Sequence, residues 1–87
     1  MLYLAIDQHA KQITVCVRNE SGDTVLRRQV STRVEKITVF FQQLTEMDSN
    51  FMAILEVCGF NDWLMDTLRK WNCREIVLIH PEKPSKT

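Results

Sequence analysis

Short apolar runs that alternate with segments of helical periodicity most constrain how this chain of 87 residues folds. The runs at 2–7, 51–57 and 75–79 are brief and bounded by polar or turn-forming residues. Such runs are typical of strands that are buried on both faces. A segment long enough for one helix precedes the second run, and another precedes the third. The pattern therefore predicts an α/β domain and not a helical bundle or a β-sandwich.

Two further strands are predicted between the first apolar run and the first helix. Residues 12–18 alternate apolar and polar side chains, which is typical of a strand with one buried face. Residues 19–23 have the composition of a tight turn, and residues 24–30 supply the returning strand. Arg27 and Arg28 lie on this strand, and paired charges are common on the exposed edge of a sheet.

Two amphipathic helices complete the predicted order. The segment from Thr32 to Glu35 matches a capping box, so we expect a helix to begin there. Its apolar stripe is spaced by three and four residues, as is that of a second helix after Gly59. The first stripe comprises Val34, Ile37, Phe41 and Leu44, and the second comprises Phe60, Leu64, Leu68 and Trp71.

The predicted order is β-β-β-α-β-α-β, with one domain over 1–80 and the start of a polar linker over 81–87. Single-helix crossovers require strands one, four and five to be parallel, whereas the first three strands form a meander. This mixed five-stranded sheet is the ribonuclease-H-like layout, truncated before its later helices. Halves of actin-like ATPases and sugar kinases share the layout, so topology alone leaves the function open.

Composition excludes several classes of protein. Eleven basic and eleven acidic residues balance, which argues against a strongly basic nucleic-acid module. Three cysteines without a C-x-x-C pair favour reduced thiols and a cytoplasmic setting over a disulfide or zinc framework. The first apolar run meets Asp7 too soon to be a signal peptide or a membrane span, so no membrane partner is expected.

Asp7 and Glu56 are the candidate metal ligands, because each stands near the end of an apolar strand. Parallel neighbouring strands bring both carboxylates to the same edge of the sheet, where open sheets bind ligands. Two hard oxygen ligands facing one space suit Mg²⁺ or Mn²⁺. The alternative is that Asp7 is ordinary turn chemistry and that Glu56 simply faces water.

Two short motifs resemble DEDD transposases of insertion sequences, the group that includes Piv-type DNA invertases. Residues 5–17 read AIDQHAKQITVCV and resemble the segment that carries the family's first acid. Residues 54–60 read ILEVCGF and resemble the segment of its second acid, and the exit VLIHP at 77–81 is also similar. The resemblance spans the chain, but each motif is short, so it depends on their joint order.

The resemblance implies a RuvC-like ribonuclease H fold in which Asp7 and Glu56 are catalytic and bind Mg²⁺ or Mn²⁺. It implies a metal-dependent recombinase that cuts DNA, a guide RNA for some members, and a homo-oligomer at full length. The family's last two acids follow a Lys-Thr motif, whereas this chain reaches Lys86 and Thr87 without them. We therefore expect an N-terminal fragment that is inactive alone, with the chain cut before those acids.

Other polar residues have weaker claims. Lys11, Lys83 and Lys86 are candidates for contacts with nucleic acid, although a solvated charge is the ordinary role of such a lysine. His80 could lie near the metal edge, and His9 has less claim.

Two rival functions stay open. One is an actin-like or sugar-kinase ATPase lobe, which normally has glycines after its first Asp, where this chain has Gln8, His9, Ala10 and Lys11. The other is a non-catalytic binding module, in which neither carboxylate matters.

Overall fold

The computed structural model describes residues 1–56 and 61–80. Its elements occur in the order β1 (Leu2–Gln8), β2 (Gln12–Arg18), β3 (Thr24–Ser31), α1 (Val34–Met47), β4 (Phe51–Glu56), α2 (Asp62–Lys70) and β5 (Ile76–Ile79). The five strands form one mixed sheet in the spatial order β3-β2-β1-β4-β5. The prediction of an α/β fold with a five-stranded mixed sheet and two helices is confirmed.

The pairing of the strands is antiparallel on one side of β1 and parallel on the other. β2 pairs with β1 and with β3 in antiparallel fashion, whereas β1 with β4 and β4 with β5 are parallel. Between β2 and β3 the turn is held by the Asn19 side chain, whose Oδ1 accepts hydrogen bonds from the amides of Ser21 and Asp23. Gly22 adopts a φ of 86° in this turn, which a side chain would strain.

Both described helices pack on the same face of the sheet. Alternate side chains of β1, β2 and β4 enter this core, and α1 adds a cluster of aromatic rings around Phe41. The Phe41 ring lies 5.2 Å from the ring of Phe40 and 6.0 Å from those of Phe51 and Trp71, measured between centroids. Aromatic pairs at such spacings add to the stabilisation from burial alone.

The prediction that β1, β4 and β5 are buried on both faces is wrong for the described part of the chain. The opposite face of β1 and β4 carries exposed or partly exposed side chains, among them Ala5, Ile54 and Glu56. On β5, Leu78 and Ile79 are 42% and 49% exposed. Apolar residues on this second face gave the runs their continuous apolar character, although no described helix covers them.

The predicted capping box at the start of α1 is also wrong. Arg33 is the N-cap residue and makes no side-chain capping bond. Thr32 instead donates its hydroxyl to the backbone oxygen of Lys11, and its amide donates to the same oxygen. The helix therefore begins two residues after Thr32, and Val34 is 76% exposed where burial was expected. Phe40 takes its place in the buried stripe, together with Ile37, Phe41 and Leu44.

The stripe of α2 matches its prediction where the structure describes it. Leu64 and Leu68 are buried, and Trp71 is packed against the core at the end of the helix. Phe60 and Val57 lie outside the described residues. None of the described helices is long and apolar enough to cross a membrane.

Candidate functional site

Asp7 and Glu56 lie side by side at the carboxyl ends of two parallel neighbouring strands. The register pairs Ile6 with Leu55, so the next position on each strand places Asp7 beside Glu56. Neighbouring strands are about 4.8 Å apart, and the alternation along each strand places both side chains on the face that has no described helix. The structure thus brings together the two acids that the sequence singled out.

Both carboxylates line an open concavity of about 530 Å³ on this face. Its floor is apolar, with contributions from Ala5, Ile54 and Ile79, and its polar wall includes Thr14 and Arg27. Arg27 reaches the concavity from β3, where it is opposite Cys16. Among the described residues, Arg27 is therefore the one cationic side chain that faces the two acids across a mostly apolar floor.

His9 is the nearest described partner of Asp7, although the sequence argument gave it little weight. Its Nε2 lies 3.3 Å from Oδ2 of Asp7, and both side chains are about half exposed or more. The turn that carries His9 is closed by a hydrogen bond from its amide to the backbone oxygen of Gln12. A two-residue separation between an acid at a strand end and a histidine in the following turn is the signal that could have indicated this contact.

Asn61 ties the ends of β1 and β4 together and was not singled out from the sequence. It is the buried polar residue of the described core, at 6% exposure, and it precedes α2 directly. Its Nδ2 donates to Oε1 of Gln8 and to the backbone oxygen of Glu56, each at 3.3 Å. Asn61 thereby holds Gln8, the residue after Asp7, in position relative to Glu56.

The remaining candidates are not gathered at this site. Lys11 is exposed in the turn after β1, where its backbone oxygen accepts a hydrogen bond from the Thr32 hydroxyl. His80 is exposed just after β5. Lys83 and Lys86 lie outside the described residues, as does Cys58. Cys16 and Cys73 are free thiols in the described part of the chain, and burial raises the pKa of Cys73 above its ordinary value.

The donor set suits a cation that is shared with a phosphate better than a closed protein site. Across 1–56 and 61–80, no group of three or more His, Cys, Asp and Glu side chains is placed to hold a metal ion. Mg²⁺, however, keeps several waters and is commonly held by one or two carboxylates together with substrate phosphates. Two exposed acceptor carboxylates on adjacent strands fit that arrangement.

Comparison with known proteins gives a likeness of fold. No protein-family model matches the chain, and no curated protein matches it either. Among solved structures, the chain is similar to a ROK family protein from Streptococcus pneumoniae TIGR4 in complex with sucrose, with a TM-score of 0.56 and 17% sequence identity. The match covers 92% of this chain and 34% of that protein, so the chain spans about a third of its length.

The predicted main function, a fragment of a DNA-cutting transposase, is wrong. The solved structure found to share the fold is a ROK family protein, and nothing in the comparisons points to DEDD transposases. Nothing in the comparisons supports DNA or a guide RNA as a partner of this chain. The resemblance of the motifs at 5–17 and 54–60 stays a prediction, and so does the homo-oligomer.

Proposed function

We propose that this chain is a ribonuclease-H-like lobe of the actin-like and sugar-kinase type, and that it binds the divalent cation of a metal–nucleotide complex. The observation that carries the proposal is the placement of Asp7 beside Glu56 at the carboxyl edge of parallel strands, on the face that the described helices leave open. Ligands of open sheets bind at that edge. A sugar-bound ROK family protein of similar fold supports this class.

Each residue of the edge has a distinct task in the proposal. Asp7 and Glu56 supply oxygen ligands to Mg²⁺ or Mn²⁺, which would neutralise phosphate oxygens and orient them for transfer. His9, 3.3 Å from Asp7, limits the orientations open to that carboxylate. Asn61 holds the backbone of Glu56 in register with the end of β1. The acceptor class would be a sugar hydroxyl.

The turn after Asp7 sets this chain apart from the usual lobe of the class. It contains no glycine between Gln8 and Lys11, so its backbone has less freedom to wrap a phosphate. Side chains must then supply the positive charge, and Lys11 and His9 are the ones that the turn offers. We therefore expect a cation-dependent affinity for nucleotide that is weaker than that of a glycine-lined loop.

Calorimetric titration with ATP in the presence and absence of Mg²⁺ tests the proposal. We expect binding that requires Mg²⁺ and that falls at least about tenfold in Asp7→Asn and in Glu56→Gln, because each change removes one anionic ligand. Asp66→Asn is the matched control, since Asp66 is exposed on α2 and contacts only Arg69 among the described residues. Equal binding by all four proteins, or binding that ignores Mg²⁺, would refute the proposal.

A further inference from the structure

The β3 strand forms one edge of the sheet and exposes most of its length. It has eight residues, Thr24–Ser31, and pairs only with β2 among the described strands. Five of its residues are exposed, and Val30 is its buried member. Long exposed edge strands offer a row of free backbone groups to another extended chain.

The register identifies which backbone groups point away from the sheet. The amide of Thr32 donates to the oxygen of Lys11, so that pair is hydrogen-bonded, and the pairs then alternate along the antiparallel ladder. Val30 and Arg28 therefore direct their N–H and C=O groups to β2. Ser31, Gln29 and Arg27 direct theirs outward, at the two-residue spacing that an added strand requires.

A shallow groove of about 200 Å³ runs beside this edge, between β3 and α1. Val39 and Phe40 form its apolar part, and Val39 is 49% exposed. Its charged side chains are Arg28 and Lys36, and no carboxylate lines it. Arg28 is held over the groove by a hydrogen bond of 3.3 Å from Nη1 to Oε1 of Gln43.

We propose that the β3 edge binds an extended, acidic peptide segment as an additional strand. Ser31, Gln29 and Arg27 bond its backbone, and the alternate side chains that face the groove include both apolar ones, which rest on Val39 and Phe40, and carboxylates, which meet Arg28 and Lys36. This is strand addition, in which backbone bonds give affinity and side-chain pockets give specificity. The backbone groups of this site are distinct from the Asp7 and Glu56 edge, although the Arg27 side chain lines the concavity there, and the proposal does not depend on the nucleotide.

Charge decides the occupant against a second copy of this chain. Antiparallel pairing of two β3 strands centred on Arg27, or on Arg28, puts that arginine directly opposite the same residue of the other copy. Like charges directly opposite in a sheet are destabilising. An acidic strand replaces this repulsion by attraction, because each of its carboxylates faces one of the arginines or Lys36.

Hydrogen exchange on the intact chain tests the geometry directly. The probe is a synthetic seven-residue peptide, Glu-Thr-Val-Thr-Glu-Thr-Val, whose glutamate and valine side chains all lie on one face of the strand, and its partner peptide has lysine in place of each glutamate. With the acidic peptide at saturation, exchange of the Arg27, Gln29 and Ser31 amides should slow at least about tenfold, while the already bonded Arg28 and Val30 amides change little. Slowing without this alternation would overturn the proposal.

Variants separate backbone pairing from charge. Gln29→Pro removes an outward N–H without a bond to β2 and should abolish binding while the circular dichroism spectrum is retained. Joint Arg28→Glu and Lys36→Glu should weaken the acidic peptide at least about tenfold and favour the lysine peptide, whereas Arg18→Glu, on β2, is the control. Equal binding of both peptides, or binding of a DNA duplex in preference to the acidic peptide, would contradict the proposal.

Discussion

Removing the Asn61 amide should loosen the candidate site and destabilise the fold together. Its Nδ2 makes two hydrogen bonds of 3.3 Å, and each such bond contributes about 0.5–1.5 kcal/mol to stability. The backbone oxygen of Glu56 also loses a donor. We therefore expect Asn61→Ala to lower the free energy of unfolding by about 1–3 kcal/mol, and the melting temperature of so small a domain by about 4–8 °C for each kcal/mol.

The assay is equilibrium unfolding in urea, followed by tryptophan fluorescence, since Trp63 and Trp71 pack against the core. Gln8→Ala and the double variant complete a cycle that isolates the bond between the two side chains, for which we expect a coupling of about 0.5–1.5 kcal/mol. Asn61→Asp keeps the size but loses both amide donors, so it should be at least as destabilising as Asn61→Ala. A loss below about 0.5 kcal/mol in both Asn61 variants would refute the role assigned to this residue.

Three further predictions concern residues outside the candidate site. Phe41 is fully buried among three rings, so Phe41→Ala should cost about 3–5 kcal/mol in urea unfolding, and a cost below 1 kcal/mol would contradict the packing. Asn72 adopts a φ of 62°, so Asn72→Gly should leave the melting temperature unchanged or higher, whereas Asn72→Val should lower stability by about 1–2 kcal/mol. The amide of Asn50, and then the Met1 ammonium, lower the pKa of Asp48 below its ordinary 3.8. The folded carboxylate therefore stabilises fully above that value and loses its effect as pH falls through the lower folded pKa, so the advantage of wild type over Asp48→Asn should vanish in acid unfolding curves.

Much of the architecture follows from local patterns. The bounds of β2 match the alternation from Gln12 to Arg18, and the stripe at Leu64 and Leu68 matches α2. These elements were predictable because a period of two or of 3.6 is a property of the segment itself. The prediction that Asp7 and Glu56 lie next to each other followed from the same strand pattern, since parallel strands align their carboxyl ends.

What the sequence did not predict depends on partners that are distant along the chain. Thr32 forms its bonds with Lys11 and not with the start of α1, because the turn after β1 presents a free carbonyl there. Asn61 bonds the side chain of Gln8, 53 residues away, and the backbone of Glu56, and nothing local distinguishes it from an ordinary residue before a helix. The open face was missed because apolar residues such as Ile54 occur on both sides of the strand.

The function required comparison because two acids on a strand edge are chemically ambiguous. Metal-dependent DNA cleavage and phosphoryl transfer both use carboxylates at the ends of parallel strands. The short motifs around Asp7 and Glu56 favoured the first class, whereas the chain shares its fold with a ROK family protein, and phosphoryl transfer is the class that we propose.

Paramagnetic NMR with Mn²⁺ and ADP tests the central claim most directly. In the presence of both, the amide signals next to Asp7 and Glu56 should broaden first, while that of the control residue Asp66, on α2, should broaden least. Asp7→Asn and Glu56→Gln should each remove the broadening at low Mn²⁺ concentration. Broadening centred elsewhere, or unchanged in both variants, would contradict the assignment of this edge as the site of the metal–nucleotide complex.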